Sequence, residues 1–210
     1  MKNKTLVATG ILLFVLFTSC SQSNLNLSNE NLILVNRDAI KSEGNNSLVL
    51  NAKKGDGIAI IKNDSFNTGV IELELKGENT PGKSFVGVAF NIQNDSTYEA
   101  IYFRPFNFKA EELIKRQHSI QYISHPKNTW RYLRTNSEGI YEAEYIDAPL
   151  PEEWFGISVK IDMDKVRVYD KKSNTELLSV KRLEKQVSNK VGLWTGNNSK
   201  GEYRNVKLSE

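Results

Sequence analysis

From about residue 31 onward, apolar and polar positions alternate along the chain with a period of two. The clearest stretch sets Phe155, Ile157, Val159, Ile161 and Met163 on one face, against Gly156, Ser158, Lys160 and Asp162 on the other. Met163-Asp164-Lys165 turns the chain, and Val166 and Val168 resume the apolar face against Arg167 and Tyr169. This pattern predicts a β-hairpin with one buried side. Ile71, Leu73 and Leu75 alternate with Glu72, Glu74 and Lys76 in the same way, and so do Val86, Val88, Phe90 and Ile92 with their neighbours.

Further strands are predicted over 47–52, 57–61, 98–104, 118–123, 140–146, 176–180, 190–195 and 202–208. Asn63-Asp64, Pro81-Gly82, Asn94-Asp95 and Gly196-Asn197-Asn198 supply turn chemistry between them. Short helical turns are expected at 109–116 and 128–134. Many short strands without a long amphipathic helix predict an all-β fold, a two-sheet β-sandwich of jelly-roll type. A single domain over 31–210 is large for an immunoglobulin-type sandwich, and the paired cysteines of that fold are missing.

The first residues follow another logic. Lys2 and Lys4 precede an apolar run from Leu6 to Phe17, too short to span a bilayer and followed by small residues. Residues 1–19 read as a signal segment. Phe17-Thr18-Ser19-Cys20 resembles the lipobox of bacterial lipoproteins. The resemblance implies that Cys20 becomes the lipidated N-terminus, and that the protein is extracytoplasmic, held on an outer membrane or cell surface. Residues 20–30 then read as the lipidated cysteine and a polar tether rich in Ser and Asn.

Composition narrows the chemistry. Cys20 is the one cysteine of 210 residues, which excludes an internal disulfide framework and a cysteine-based zinc site. Two histidines do not predict a metal centre, and nothing calls for a cofactor. The signal segment carries two lysines and no acid, so 26 basic residues face 25 acidic ones in the remainder. A near-neutral chain does not predict a nucleic-acid partner.

Function is expected on the face turned from the core. In strand 84–93 that face carries Gly87, Ala89 and Asn91, either a groove floor or an outer face covered by a loop. In strand 98–104, Ile101 and Phe103 point to the core, and Tyr98, Ala100, Tyr102 and Arg104 point away. A ring beside a guanidinium suits a sugar, whose C–H face stacks on aromatics and whose hydroxyls accept from fixed N–H donors. The alternative is an Arg104 paired to a nearby Glu and stacked on Tyr to stabilise the face. The following segment concentrates Arg116, His118, Gln121, Tyr122, Trp130 and Arg134, and then Glu142. The candidate ligand-binding set is Asn91, Tyr102, Arg104, His118, Gln121, Arg134 and Glu142. Trp130 and Trp194 are either stacking rings or core.

The run from Tyr98 to Phe108 resembles the concanavalin A-like lectin/glucanase superfamily. So do Gln121-Tyr122, Trp130-x-x-Leu133-Arg134, Tyr141-Glu142, Val191-Gly192-Leu193-Trp194 and Gly201-x-Tyr203-x-Asn205-Val206. The similarity is to its laminin G-like and 3-keto-disaccharide hydrolase-like bacterial branches. It implies a two-sheet jelly roll whose concave face binds carbohydrate. Glu-x-Asp-x-x-Glu, the glucanase motif, has its nearest match in Glu142-Ala143-Glu144-Tyr145-Ile146-Asp147, with the acids in another order. Retaining chemistry needs two carboxyl groups ~5 Å apart. Chemistry on a 3-keto-glycoside would need a base and an enolate-stabilising group, for which Glu142 with Arg104 or Arg134 is the candidate pair. Three readings stay open: a carbohydrate-binding domain, a hydrolase or lyase on a (3-keto-)glycoside, and a structural or protein-interaction module.

Overall fold

Val86, Val88 and Phe90 project from one side of their strand and Gly87 and Ala89 from the other, as the alternation predicts. The computed structural model describes residues 24–42, 47–62 and 66–210. The signal segment, Cys20 and the turn at Asn63-Asp64 lie outside these residues.

The strands, numbered in chain order, form two antiparallel sheets of seven. The first sheet runs β1 (Leu32–Val35), β4 (Gly57–Ile61), β13 (Gly192–Thr195), β6 (Val86–Phe90), β7 (Tyr98–Phe103), β8 (Ile120–His125) and β9 (Glu142–Ala143). The second runs β12 (Glu176–Lys181), β11 (Lys165–Asp170), β10 (Phe155–Ile161), β5 (Gly69–Lys76), β14 (Gly201–Ser209), β3 (Ser47–Leu50) and β2 (Ala39–Ser42). Two short helices follow strands of the first sheet, α1 (Leu113–Arg116) and α2 (Trp130–Asn136). No helix of the described residues is long and apolar enough to cross a membrane.

The main core lies between the sheets. Val88, Phe90, Ile101, Phe103, Tyr122 and Leu193 from the first meet Ile71, Leu73, Leu75, Ile157, Val159 and Tyr203 from the second. Phe103 and Phe155 close it edge to face, with ring centroids 5.2 Å apart. The first sheet also buries its other side. Ile58, Ala89, Tyr98, Ala100, Tyr102, Ile123 and Trp194 form a second apolar cluster there, which Leu133 of α2 caps. Every residue of β6 and β7 is consequently buried. The face expected to be solvated is thus partly roofed by the 126–141 segment.

One charged pair sits at the sandwich rim. Arg182 and Glu99 meet at 2.9 Å with 1% of each side chain exposed. The Tyr122 hydroxyl donates to the same carboxylate, and Asn91 Nδ2 donates to it at 2.7 Å. This network pins the 182–190 segment against β7 and β8.

Three local expectations change. Met163 lies in the hairpin turn and is 67% exposed, because the strand ends at Ile161. The strand predicted over 140–146 contracts to β9, since Gly139 turns the chain at positive φ just before it. The sandwich also starts earlier than residue 31. Leu25 N–H donates to the Val206 carbonyl at 2.7 Å, and Leu25 and Leu27 pack on the core. The described part of the expected tether is therefore docked on the second sheet.

Candidate functional site

The strand order places β13, β6, β7 and β8 side by side, and their outward side chains make a floor. Trp194 and Tyr102 both pair across to Gly87. Their ring centroids stand 4.9 Å apart. A Cβ on Gly87 would come within 2.1 Å of the Ile101 carbonyl oxygen and 2.8 Å of Tyr102 Cβ. Gly87 is thus a close-approach glycine. Phe85, two residues earlier on the same side, stacks edge-on against Tyr102 at 5.9 Å and Phe106 at 5.6 Å.

Arg104 closes one end of this floor. Its Nη2 donates to the Tyr102 hydroxyl at 2.7 Å and to Gln121 Oε1 at 3.3 Å. Its Nη1 donates to the His118 carbonyl at 2.6 Å. The guanidinium carbon lies 4.9 Å from the Tyr102 ring centroid. Gln121 Nε2 is spent on the Tyr122 and Tyr141 carbonyls, which fixes its oxygen toward Arg104.

Helix α2 builds the wall. The Thr129 side chain accepts from Tyr132 N–H at 3.2 Å and starts the helix. Trp130 and Arg134 then share a helix face at i and i+4, with the Arg134 guanidinium 5.2 Å from the Trp130 ring centroid. Arg134 grips Glu142 at two points, Nε–Oε1 3.1 Å and Nη2–Oε2 2.7 Å. His118 Nδ1 also lies 2.8 Å from Glu142 Oε2, but its N–H direction misses the oxygen.

Between floor and wall is a pocket of about 490 Å³. Phe85, Tyr102, Phe106, Trp130 and Trp194 supply rings to its lining, and Arg104, Asn107, His118 and Arg134 supply polar groups. Asp56 lies in the lining beside His125 and accepts from the Tyr98 hydroxyl at 3.0 Å. Among the described residues no three His, Cys, Asp or Glu side chains gather as a metal site.

No family model matches the sequence, and no curated protein matches it. Solved structures do. The chain is similar to the carbohydrate-binding module CBM66 from Bacillus subtilis, at 8% identity over 90% of this chain and 98% of that one, with a TM-score of 0.61. A protein of unknown function with a galectin-like fold, also from Bacillus subtilis, aligns with TM-score 0.56 at 11% identity over 85% and 89% of the two chains. A Bacillus licheniformis β-glucanase aligns with TM-score 0.53 at 10% identity over 90% and 99%. The chain has the concanavalin A-like jelly-roll fold.

On this jelly roll, six of the seven expected ligand-binding residues lie in one connected network. Tyr102, Arg104, His118, Gln121, Arg134 and Glu142 are linked by the contacts above, although Gln121 and Glu142 stand behind the lining rather than in it. Asn91 stands apart. Its φ of 50° ends the extended strand and turns the side chain away from the Gly87 face. Its amide is taken up by Glu99, the Lys185 carbonyl and the Val187 and Ser188 N–H groups. Trp194 is buried in the floor and Trp130 is 41% exposed at the rim, so the two tryptophans divide between the two expectations.

The electrostatics separate the two histidines from the cations. Burial holds the His118 imidazole below its ordinary value, and Arg134 and Arg104 add to this against the opposing pull of Glu142. Burial lowers His125 likewise, opposed by Asp56. Burial raises the Tyr102 phenol, which stays neutral and able to donate. Phe85, Phe106 and Asp56 were not singled out by the sequence. Phe85 shares the parity of Gly87 and was legible from it. Phe106 sits in a single 3-10 turn, and Asp56 in a loop, where alternation carries no information.

Proposed function

We propose that this jelly roll binds carbohydrate in the aromatic pocket on its first sheet. One observation carries the reading. A paired Tyr102–Trp194 floor lies directly beside a guanidinium whose position is fixed by three neutral acceptors. Rings accept the C–H face of a sugar, and fixed N–H donors orient its hydroxyls. A volume of about 490 Å³ falls within the range of small-ligand sites and suits one or two sugar rings. The carbohydrate-binding module and the β-glucanase among the similar structures support the same class of ligand.

Binding is favoured over hydrolysis through Glu142. Both oxygens of that carboxylate are held by Arg134, and only 4% of the side chain is exposed. The carboxylate also stands behind the pocket lining rather than in it. Glu72 and Glu74, acids at i and i+2 on one strand, are on the second sheet and bound to Lys171 and Arg204.

The Phe17–Cys20 sequence supports an extracytoplasmic protein anchored through lipid on Cys20. Glycan-array binding with the full chain in mild detergent tests the ligand class. Recognition of a glycan, weakened by Arg104→Ala, is the expected result; no glycan bound overturns it. Mass spectrometry of the N-terminal peptide tests the anchor, which an unmodified or absent Cys20 thioether would refute.

A further inference from the structure

Three arginines are buried among the described residues, and they are satisfied in different ways. Arg182 has a carboxylate, Glu99, held through Nε and Nη2; Nη2 also donates to Gln186 Oε1 and Nη1 to the Asp162 carbonyl. Arg37 has no carboxylate but is saturated. Its Nε donates to Thr195 Oγ1, its Nη1 to the Asn36 carbonyl, and its Nη2 to the carbonyls of Gly55, Thr195 and Gly196.

Arg104 has neither arrangement. It is 6% exposed, lines the pocket and forms no ion pair with the described residues. Its acceptors are a phenol, an amide oxygen and a carbonyl, all neutral, and its Nε makes no hydrogen bond with the described residues. A desolvated cation without a counter-ion is costly, and the cost falls when an anion arrives. The other cations of the lining are already matched. Arg134 is neutralised by Glu142, and Lys115 by Glu112 at 2.7 Å. The one carboxylate in the lining, Asp56, is bonded to Tyr98 beside His125 rather than to Arg104. The pocket therefore has a basic end, where Arg104 keeps its Nε–H and one Nη1–H unspent, and a separate acidic corner.

We propose that the ligand is an acidic sugar whose carboxylate docks on the unspent N–H groups of Arg104. This rests on the carbohydrate reading and adds the ligand's charge to it. A carboxylate accepting from a guanidinium N–H makes a charge-assisted hydrogen bond, stronger than a neutral acceptor makes. Tyr102 and Gln121 hold the guanidinium in place beforehand, so little side-chain entropy remains to be lost on binding. The sugar ring then lies over Tyr102 and Trp194, with its hydroxyls toward Asn107 and Asp56.

The test uses matched pairs that differ in charge alone, titrated calorimetrically into the full chain in mild detergent. Trigalacturonate is compared with its methyl ester, and sialyllactose with its methyl ester. The expected result is at least one acid bound about tenfold more tightly than its neutral partner, the difference between a charge-assisted and a neutral hydrogen bond. Arg104→Gln should bring that pair within about threefold, while Arg104→Lys retains part of the preference. Circular dichroism establishes that each variant is folded, and the wild-type comparison stands without them. Neutral members bound as tightly as the acids, or binding confined to neutral glycans, overturns the inference and leaves the carbohydrate reading intact. An acid preference unchanged in folded Arg104→Gln overturns the role of Arg104. Failure to bind any glycan overturns both.

Discussion

The rings of Tyr102 and Trp194 meet 4.9 Å apart, and the residue lying between their strands is Gly87. A methyl group there has no space, since its nearest neighbour would be backbone oxygen at 2.1 Å. Gly87→Ala must push β7 away from β6 and separate the rings. The expected loss of stability is at least about 2 kcal/mol, at the upper end for overpacking, read from urea denaturation. Glycan affinity should fall with it.

Trp130 is the ring at the pocket rim rather than in its floor. It is 41% exposed and packs on its own helix through Arg131 and Arg134. Trp130→Ala should leave stability within about 0.5 kcal/mol, as for other surface positions. It should weaken glycan binding by roughly three- to tenfold, the worth of one aromatic contact. Calorimetry on the variant separates the two effects.

Both histidines impose a pH dependence. His118 and His125 are held below the ordinary value of 6.5 in the folded chain. The unfolded chain therefore binds more protons as pH falls below that value, and stability rises with pH across this window. The contribution is complete above pH 6.5 and is lost as pH falls toward the folded values. Denaturation midpoints measured between about pH 5 and 8 should show this slope. His118→Gln together with His125→Gln should flatten it; an unchanged slope would assign it to other groups.

The Arg182–Glu99 pair offers a control outside the pocket. With 1% of each side chain exposed, removing one partner strands the other. Arg182→Met should cost about 3–5 kcal/mol. The double variant Arg182→Met/Glu99→Gln should recover part of that loss, because no unpaired charge remains. Chemical denaturation of the set measures the coupling.

Glu142→Gln addresses the carboxylate that the sequence marks as a catalytic candidate. Its two-point bond with Arg134 would become a single bond from the guanidinium to a neutral amide oxygen, costing about 1–2 kcal/mol, between the values for exposed and buried pairs. If Glu142 positions Arg134 rather than acting as a base, glycan affinity drops and any turnover of a 3-keto-disaccharide is unaffected. Turnover abolished at unchanged affinity would restore the enzyme reading.

Much of the site was legible because alternation is a local rule. In extended backbone, successive side chains must point to opposite faces. That rule by itself assigned Ile101 and Phe103 to the core and Tyr102 and Arg104 to the other side. It failed where the backbone is not extended. Asn91 has the parity of Gly87 and Ala89, but its left-handed φ carries it out of the pattern into the Glu99 network. The 140–146 segment alternates in composition, yet only Glu142 and Ala143 find a ladder partner, in β8.

The sequence alone determined the sandwich, the division of each long strand into two faces, and the polar residues from Tyr102 to Glu142. Tertiary structure decided which of these are neighbours. The order β13-β6-β7-β8 brings Trp194 beside Tyr102 and aligns Gln121 with it. The packing of Leu133 places α2, and with it Arg134, over the sheet. These contacts join segments distant along the chain, and no short-range periodicity encodes them. The unmatched charge of Arg104 is of the same kind, since it follows from which acceptors the fold places around it and which it does not.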